Sequence, residues 1–136
     1  IHAVDSLRLL REIDKRAREN DRVISALLQF DVAEEDSKYG LKPQDISAFL
    51  QELRATPATS VELAGVMGMA TDTDDEKQVN SEFKLLCDTF SELKKDSFSG
   101  QETFREISMG MSGDYPLALA QGSTLVRVGS LLFGER

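Results

Sequence analysis

Two short segments hold the residues whose types and spacing could do chemistry: Ile107-Ser-Met-Gly-Met-Ser-Gly-Asp114 and Thr124-Leu-Val-Arg-Val-Gly-Ser130. Each reads as a strand end followed by small residues. Gly110, Ser112 and Gly113 let a backbone approach a ligand closely, and a helix starting after Ser112 would offer free amides to a phosphate. Gly129 and Ser130 repeat that chemistry on the neighbouring strand end. Arg127 lies between Val126 and Val128, where a permanent charge is costly unless it meets a partner. That partner is either an internal carboxylate, such as a glutamate on an adjacent strand, or a ligand. The plainer reading of the Met-Gly-Met-Ser-Gly run is a capped tight turn, with Met109 and Met111 as core filler.

The elements that must carry these segments follow from periodicity and caps. Leu7, Leu10, Ile13 and Ala17 recur at helical spacing over Ser6 to about Arg18, with Asp5 or Ser6 available as a cap. Val23 to Phe30 is almost continuously apolar, as in a strand of a parallel sheet covered on both faces. After the acidic loop Asp31 to Tyr39, Pro43 opens a helix striped by Ile46, Phe49, Leu50 and Leu53 that stops before Pro57. Val61 to Met69 reads as another buried strand. Thr71 to Asp75 then starts a long helix with Val79, Phe83, Leu86, Phe90 and Leu93 on one side and Lys94 and Lys95 at its end. Phe104 to Met109 is a strand, Ser112 to Gln121 a short helix closed by Gly122, and Thr124 to Val128 a last strand.

With Ile1 to Val4 as an opening strand, the order predicts about five parallel strands alternating with helices, an α/β fold. Two architectures fit. One is a complete doubly wound domain; the other is the second half of an eight-stranded (β/α)8 barrel, which typically needs about 250 residues. In barrels the recurrent phosphate site lies in the loops after strands seven and eight, which would be the last two strands of a half barrel.

The chain has 136 residues, suited to one domain, and its net charge of −8 is spread along the sequence. That balance argues against a nucleic-acid backbone or an anionic membrane as the main partner. No apolar run approaches the roughly 20 residues of a membrane-spanning helix, and no signal peptide opens the chain. Cys87, the single cysteine, cannot form an internal disulfide and sits among Phe83, Leu86 and Phe90 as a buried thiol, which suits a reducing cytoplasm. Because the chain opens on Ile1 as if partway through a strand, a fragment of a longer protein is expected.

Ile107-Ser-Met-Gly-Met-Ser-Gly-Asp-Tyr115 and Gly122-Ser-Thr-Leu-Val-Arg-Val-Gly-Ser-Leu-Leu-Phe-Gly134 resemble the closing signature of the pyridoxal phosphate homeostasis proteins, a family similar to the barrel domain of alanine racemase. Ile1-His-Ala-Val-Asp-Ser6, the Leu28-Gln-Phe30 strand leading to Glu34-Glu-Asp-Ser-Lys-Tyr-Gly40, and Gly65-Val-Met-Gly-Met-Ala70 resemble the middle of that family in the same order. The resemblance implies that residues 1–136 are the C-terminal half of a (β/α)8 barrel whose N-terminal part is missing. It further implies that pyridoxal 5′-phosphate binds with Ser112, Gly129 and Ser130 on the phosphate and Arg127 on the pyridine nitrogen. A guanidinium only donates, so it keeps that nitrogen unprotonated and the ring a poorer electron sink. Transamination is thereby disfavoured, whereas racemization is not.

The family's Schiff-base lysine is expected upstream of Ile1. Lys15, Lys38, Lys42, Lys77, Lys84, Lys94 and Lys95 fall on predicted helices or loops, mostly as solvated charges, and none substitutes for it; Lys38, in the Ser-Lys-Tyr-Gly turn, is the only one in a family-like motif and the only one considered for the site mouth. His2 reads as a packed or solvated side chain. The acidic groups Glu34 to Asp36 and Asp72 to Glu76 lack the spacing of a calcium loop, and no metal motif occurs. No residue is assigned a catalytic role. The functional expectation is a cytoplasmic, non-catalytic carrier or buffer of pyridoxal phosphate that serves apoenzymes dependent on it. The alternative is part of a fold-type III amino-acid racemase, which needs a lysine and usually a tyrosine on opposite faces of the substrate carbon; Tyr39 and Tyr115 are the only tyrosines.

Overall fold

The structure, a computed structural model, describes residues 1–34 and 39–134. In chain order the elements are α1 (Leu7–Glu19), β1 (Ile24–Phe30), a one-turn 3-10 helix (Pro43–Asp45) running into α2 (Ile46–Ala55), β2 (Val61–Gly68), α3 (Glu76–Asp96), β3 (Glu106–Met111), α4 (Tyr115–Ala120), β4 (Leu125–Arg127) and α5 (Ser130–Phe133). Local chemistry sets the helix starts. The Ser6 hydroxyl accepts the Leu9 amide at 3.4 Å, and the Asp75 carboxylate accepts the Lys77 and Gln78 amides at 3.0 and 3.4 Å, each satisfying donors that a first helical turn leaves free.

The four strands form one parallel sheet in the order β1-β2-β3-β4. A doubly wound sheet needs a point where strand order reverses; this order is strictly sequential, as in a barrel wall, so the doubly wound alternative is set aside. The expected fifth strand is reduced to a bridge. Val4 lies opposite Leu28, its amide donating to Leu27 O at 3.2 Å and its carbonyl accepting the Gln29 amide at 2.9 Å. Ile1 also runs beside β1, its carbonyl accepting the Leu27 amide at 2.8 Å, before Asp5 and Ser6 turn the chain into α1.

Alternation along the strands divides the side chains between two faces. Ala26, Leu28 and Phe30 of β1, Leu63 and Val66 of β2, and Ile107 and Met109 of β3 join Leu10, Phe83 and Leu86 of the helices in one large core. Leu27, Ala64 and Met67 form a second, smaller cluster on the other face. Between them β2 carries a bulge: Ala26 pairs with Leu63, but Leu27 pairs with Gly65. Gly65 has φ +151°, and a Cβ there would stand 1.9 Å from Glu106 O. Only glycine lets β3 come that close.

Among the boundaries that differ from the sequence expectation, two have a physical reason in the packing. β3 begins at Glu106 rather than Phe104, because Phe104 serves as a core plug, stacked on Phe98 at 4.0 Å and on Phe90 at 5.4 Å. The helix expected from Ser112 begins at Tyr115. Residues 112–114 are held instead in a tight turn, in which the Asp114 amide donates to Met111 O at 3.2 Å and the Asp114 carboxylate accepts the Met111 amide.

Candidate functional site

The C-terminal ends of β2, β3 and β4 converge on Arg127. Its Nη1 donates to Ser108 Oγ at 2.8 Å and its Nη2 to Gly68 O at 3.1 Å, so the guanidinium of β4 is tied to both preceding strands. Among the described residues the internal salt bridge offered as one reading of this residue is not formed: its acceptors there are a hydroxyl and a carbonyl. Burial pushes the Arg127 pKa down from its ordinary value, partly offset by the charge of Asp114; arginine nevertheless keeps its proton in proteins. With two of its five N–H groups engaged, the fork retains donors for a further acceptor.

One loop away, Ser112 Oγ accepts the Gly129 amide at 3.2 Å. This bond joins the turn after β3 to the turn after β4 and sets Ser112 against Gly129, which Ser130 follows in sequence. The hydroxyl proton of Ser112 and the amides of Ser130 and Leu131, which precede any acceptor within α5, remain to bind an anion. Cβ atoms added to Gly113 or Gly129 would meet nothing within 4 Å, so the rim has room for a ligand. Gly110 has a different use from the one its position suggested. At φ +96° it makes way for α4, since a Cβ there would lie 2.7 Å from Ala118 Cβ.

The donor set suits a phosphate ester on an aromatic base: hydroxyl and amide donors for the phosphate, and a fixed guanidinium for a ring acceptor. Beside it a cavity of about 180 Å³ is lined by Gln29, Asp31, Tyr39, Met69 and Met111. Met111 is thus part of the site's surroundings and 37% exposed, whereas Met109 is the core filler. Cavities of about 420 and 560 Å³ open at the opposite ends of the strands, the first lined by Arg16, Asn20 and Arg22 beside Glu12, the second by Arg54 and Gln101 beside Glu62.

Three features were not assigned a place in the site from sequence. His2 Nδ1 lies 3.1 Å from Ser108 Oγ, so this histidine belongs to the Arg127 network. Ser108 is fully buried; its signal was a polar residue at an alternate position of an apolar strand. Glu82, 2% exposed on α3, accepts the Glu34 amide at 2.9 Å, the Thr71 amide and hydroxyl at 2.7 Å each, and Gln78 Nε2 at 3.2 Å. It holds the loops that follow β1 and β2. Burial alone would raise its pKa, but these hydrogen bonds outweigh burial and hold the carboxyl below the usual range.

The remaining candidates are placed as follows. Cys87 is half-buried with its thiol donating to Gln121 O at 3.2 Å, and burial raises its pKa, which leaves it an inert thiol. Lys38, Glu35 and Asp36 lie outside the described residues. The described lysines are on α1, on α3 and just before Pro43. Among the described residues no group of carboxylates, histidine and cysteine is arranged to hold a metal, and no helix is long and apolar enough to cross a membrane.

Comparison with known proteins places this geometry in a family. A pyridoxal phosphate homeostasis protein of Helicobacter pylori is 36% identical over 135 residues, covering 99% of this chain and 57% of that protein. The human pyridoxal phosphate homeostasis protein is 32% identical over 140 residues, covering 100% of this chain and 50% of its own length. PipY of Synechococcus elongatus, solved with PLP bound, superposes with a TM-score of 0.85 at 34% identity, over 98% of this chain and 60% of PipY. The chain therefore spans between half and three-fifths of the length of these relatives. The profile of the alanine racemase N-terminal domain matches residues 1–136, and the chain belongs to that family.

Proposed function

We propose that this chain supplies the phosphate and ring-nitrogen contacts for pyridoxal 5′-phosphate in a cytoplasmic protein that buffers the cofactor and delivers it to apoenzymes without catalysing a reaction of its own. The observation that carries this reading is the Ser112–Gly129 bond beside the doubly tethered Arg127. It makes one rim of two loops, with anion donors on one side and a ring donor on the other. The names of the relatives and the PLP held by PipY support the choice of ligand. In this reading the four-stranded wall is the C-terminal half of a (β/α)8 barrel, and the lysine that fixes the cofactor covalently belongs to an earlier strand of a longer protein.

Bound here, the cofactor would supply an electrophilic aldehyde and a conjugated ring. Ser112 and the Gly129–Ser130 backbone would hold its phosphate. Arg127 would donate to the ring nitrogen and, having no proton to give up at neutral pH, leave it unprotonated. That weakens the ring as an electron sink, which favours holding the cofactor over transforming amino acids with it.

The reading is tested by titrating the protein with pyridoxal 5′-phosphate and following its absorbance. Arg127→Ala and Ser112→Ala should each weaken binding by about tenfold or more, the value of a hydrogen bond to a charged group; unchanged affinity in both variants would reject the site. Loaded protein should also reactivate a PLP-dependent apoenzyme. Racemization of an amino acid by the loaded protein would overturn the non-catalytic assignment.

A further inference from the structure

We infer that Ser108 positions Arg127 toward the ring of the bound cofactor, and that His2 fixes the direction of the Ser108 hydroxyl; this rests on the reading of Arg127 given above. Ser108 is 0% exposed and lies between Ile107 and Met109, whose side chains enter the helix-side core. A buried hydroxyl on the other face is costly unless its proton and its lone pairs are both used. Arg127 only donates, so across the 2.8 Å contact Ser108 Oγ is the acceptor. The serine proton is then left for His2 Nδ1 at 3.1 Å. With the roles reversed and His2 Nδ1 donating, the buried serine proton would have no acceptor among its hydrogen-bond partners.

The direction of the chain is therefore Arg127 to Ser108 to His2, with His2 neutral and its proton on Nε2. Partial burial of the ring, followed by the positive charge of Arg127, lowers the His2 pKa and agrees with the neutral form. Gly68 O holds the second arm of the fork at 3.1 Å. An arginine held from two strands loses few orientations when it meets a ligand, so its remaining donors are preorganised. Ser108 is a positioning residue: it acts on the ring nitrogen only through Arg127.

The test compares pyridoxal 5′-phosphate with its 1-deaza analogue, in which a C–H replaces the ring nitrogen, by titration of the full chain, with inorganic phosphate as a competitor. Wild-type protein should prefer the natural ligand by about tenfold or more. Ser108→Ala should reduce that preference to about threefold or less while inorganic phosphate competes as before. His2→Phe, at an exposed position, should lower the preference partway from the other end of the chain. If the wild type shows no preference, the assignment of Arg127 to the ring fails. A wild-type preference that persists in Ser108→Ala overturns the role of Ser108 and leaves the site standing. Should Ser108→Ala lose phosphate competition through misfolding, His2→Phe decides, and an undiminished preference there overturns the inference.

Discussion

At the scale of single residues, buried polar groups organise the strand ends, and each is there because its hydrogen bonds are complete. No buried side-chain nitrogen or oxygen is left without a partner among the described residues. Glu82 shows what such a group does for stability. Its carboxyl is held below the ordinary range by the Thr71, Glu34 and Gln78 donors. The unfolded chain would titrate near a glutamate's usual value of about 4.3, so the stabilisation is complete above that value and lost as pH falls through the lower folded pKa. Glu82→Gln should lower the unfolding midpoint at neutral pH and flatten its fall on acidification; thermal melts across that range measure both, and a parallel decline in the two proteins would exclude Glu82 as the group responsible. Asp14 plays a related part on α1, accepting the Ser60 amide at 2.7 Å and pairing with Arg18 at 3.1 Å.

At the scale of elements, backbone fit decides how closely the strands and helices approach. The bulge at Ala64 and Gly65 shifts the β1–β2 register and lets Arg105 donate to Ala64 O at 2.9 Å as β3 begins. Gly65→Ala would place a methyl against Glu106 O in a backbone region that alanine rarely adopts. Its cost should exceed about 1 kcal/mol, read as a lower urea midpoint with an unchanged slope; an unaltered midpoint would mean that β3 moves away without penalty. Gly110 serves α4 in the same manner, and without that approach the turn bearing Ser112 would stand off from β4. Phe104 shows the opposite case: an apolar residue that looks like strand from its neighbours leaves the strand because its ring stacks on Phe98 and Phe90.

At the scale of the whole molecule, the helix-side core supports the site from behind. Leu86, fully buried on α3, packs where a Gly68 side chain would stand, 3.0 Å from the position of its Cβ, and Gly68 O is an acceptor for Arg127. Leu86→Ala should cost about 2–5 kcal/mol of stability, measured by chemical unfolding; a loss near zero would show that α3 does not brace the sheet. The sequence alone determined the succession of helices and strands, the small residues after the last two strands and the resemblance to the pyridoxal phosphate homeostasis proteins. Those features depend on apolar spacing, caps and motif residues close together in the chain. Tertiary structure decided the sequential strand order, the reduction of Ile1–Val4 to a bridge, the turn in place of a helix start at Ser112, and the acceptors of Arg127. Ser108 and Gly68 lie 19 and 59 residues from that arginine in sequence, and only the pairing of β2, β3 and β4 as parallel strands brings them to it.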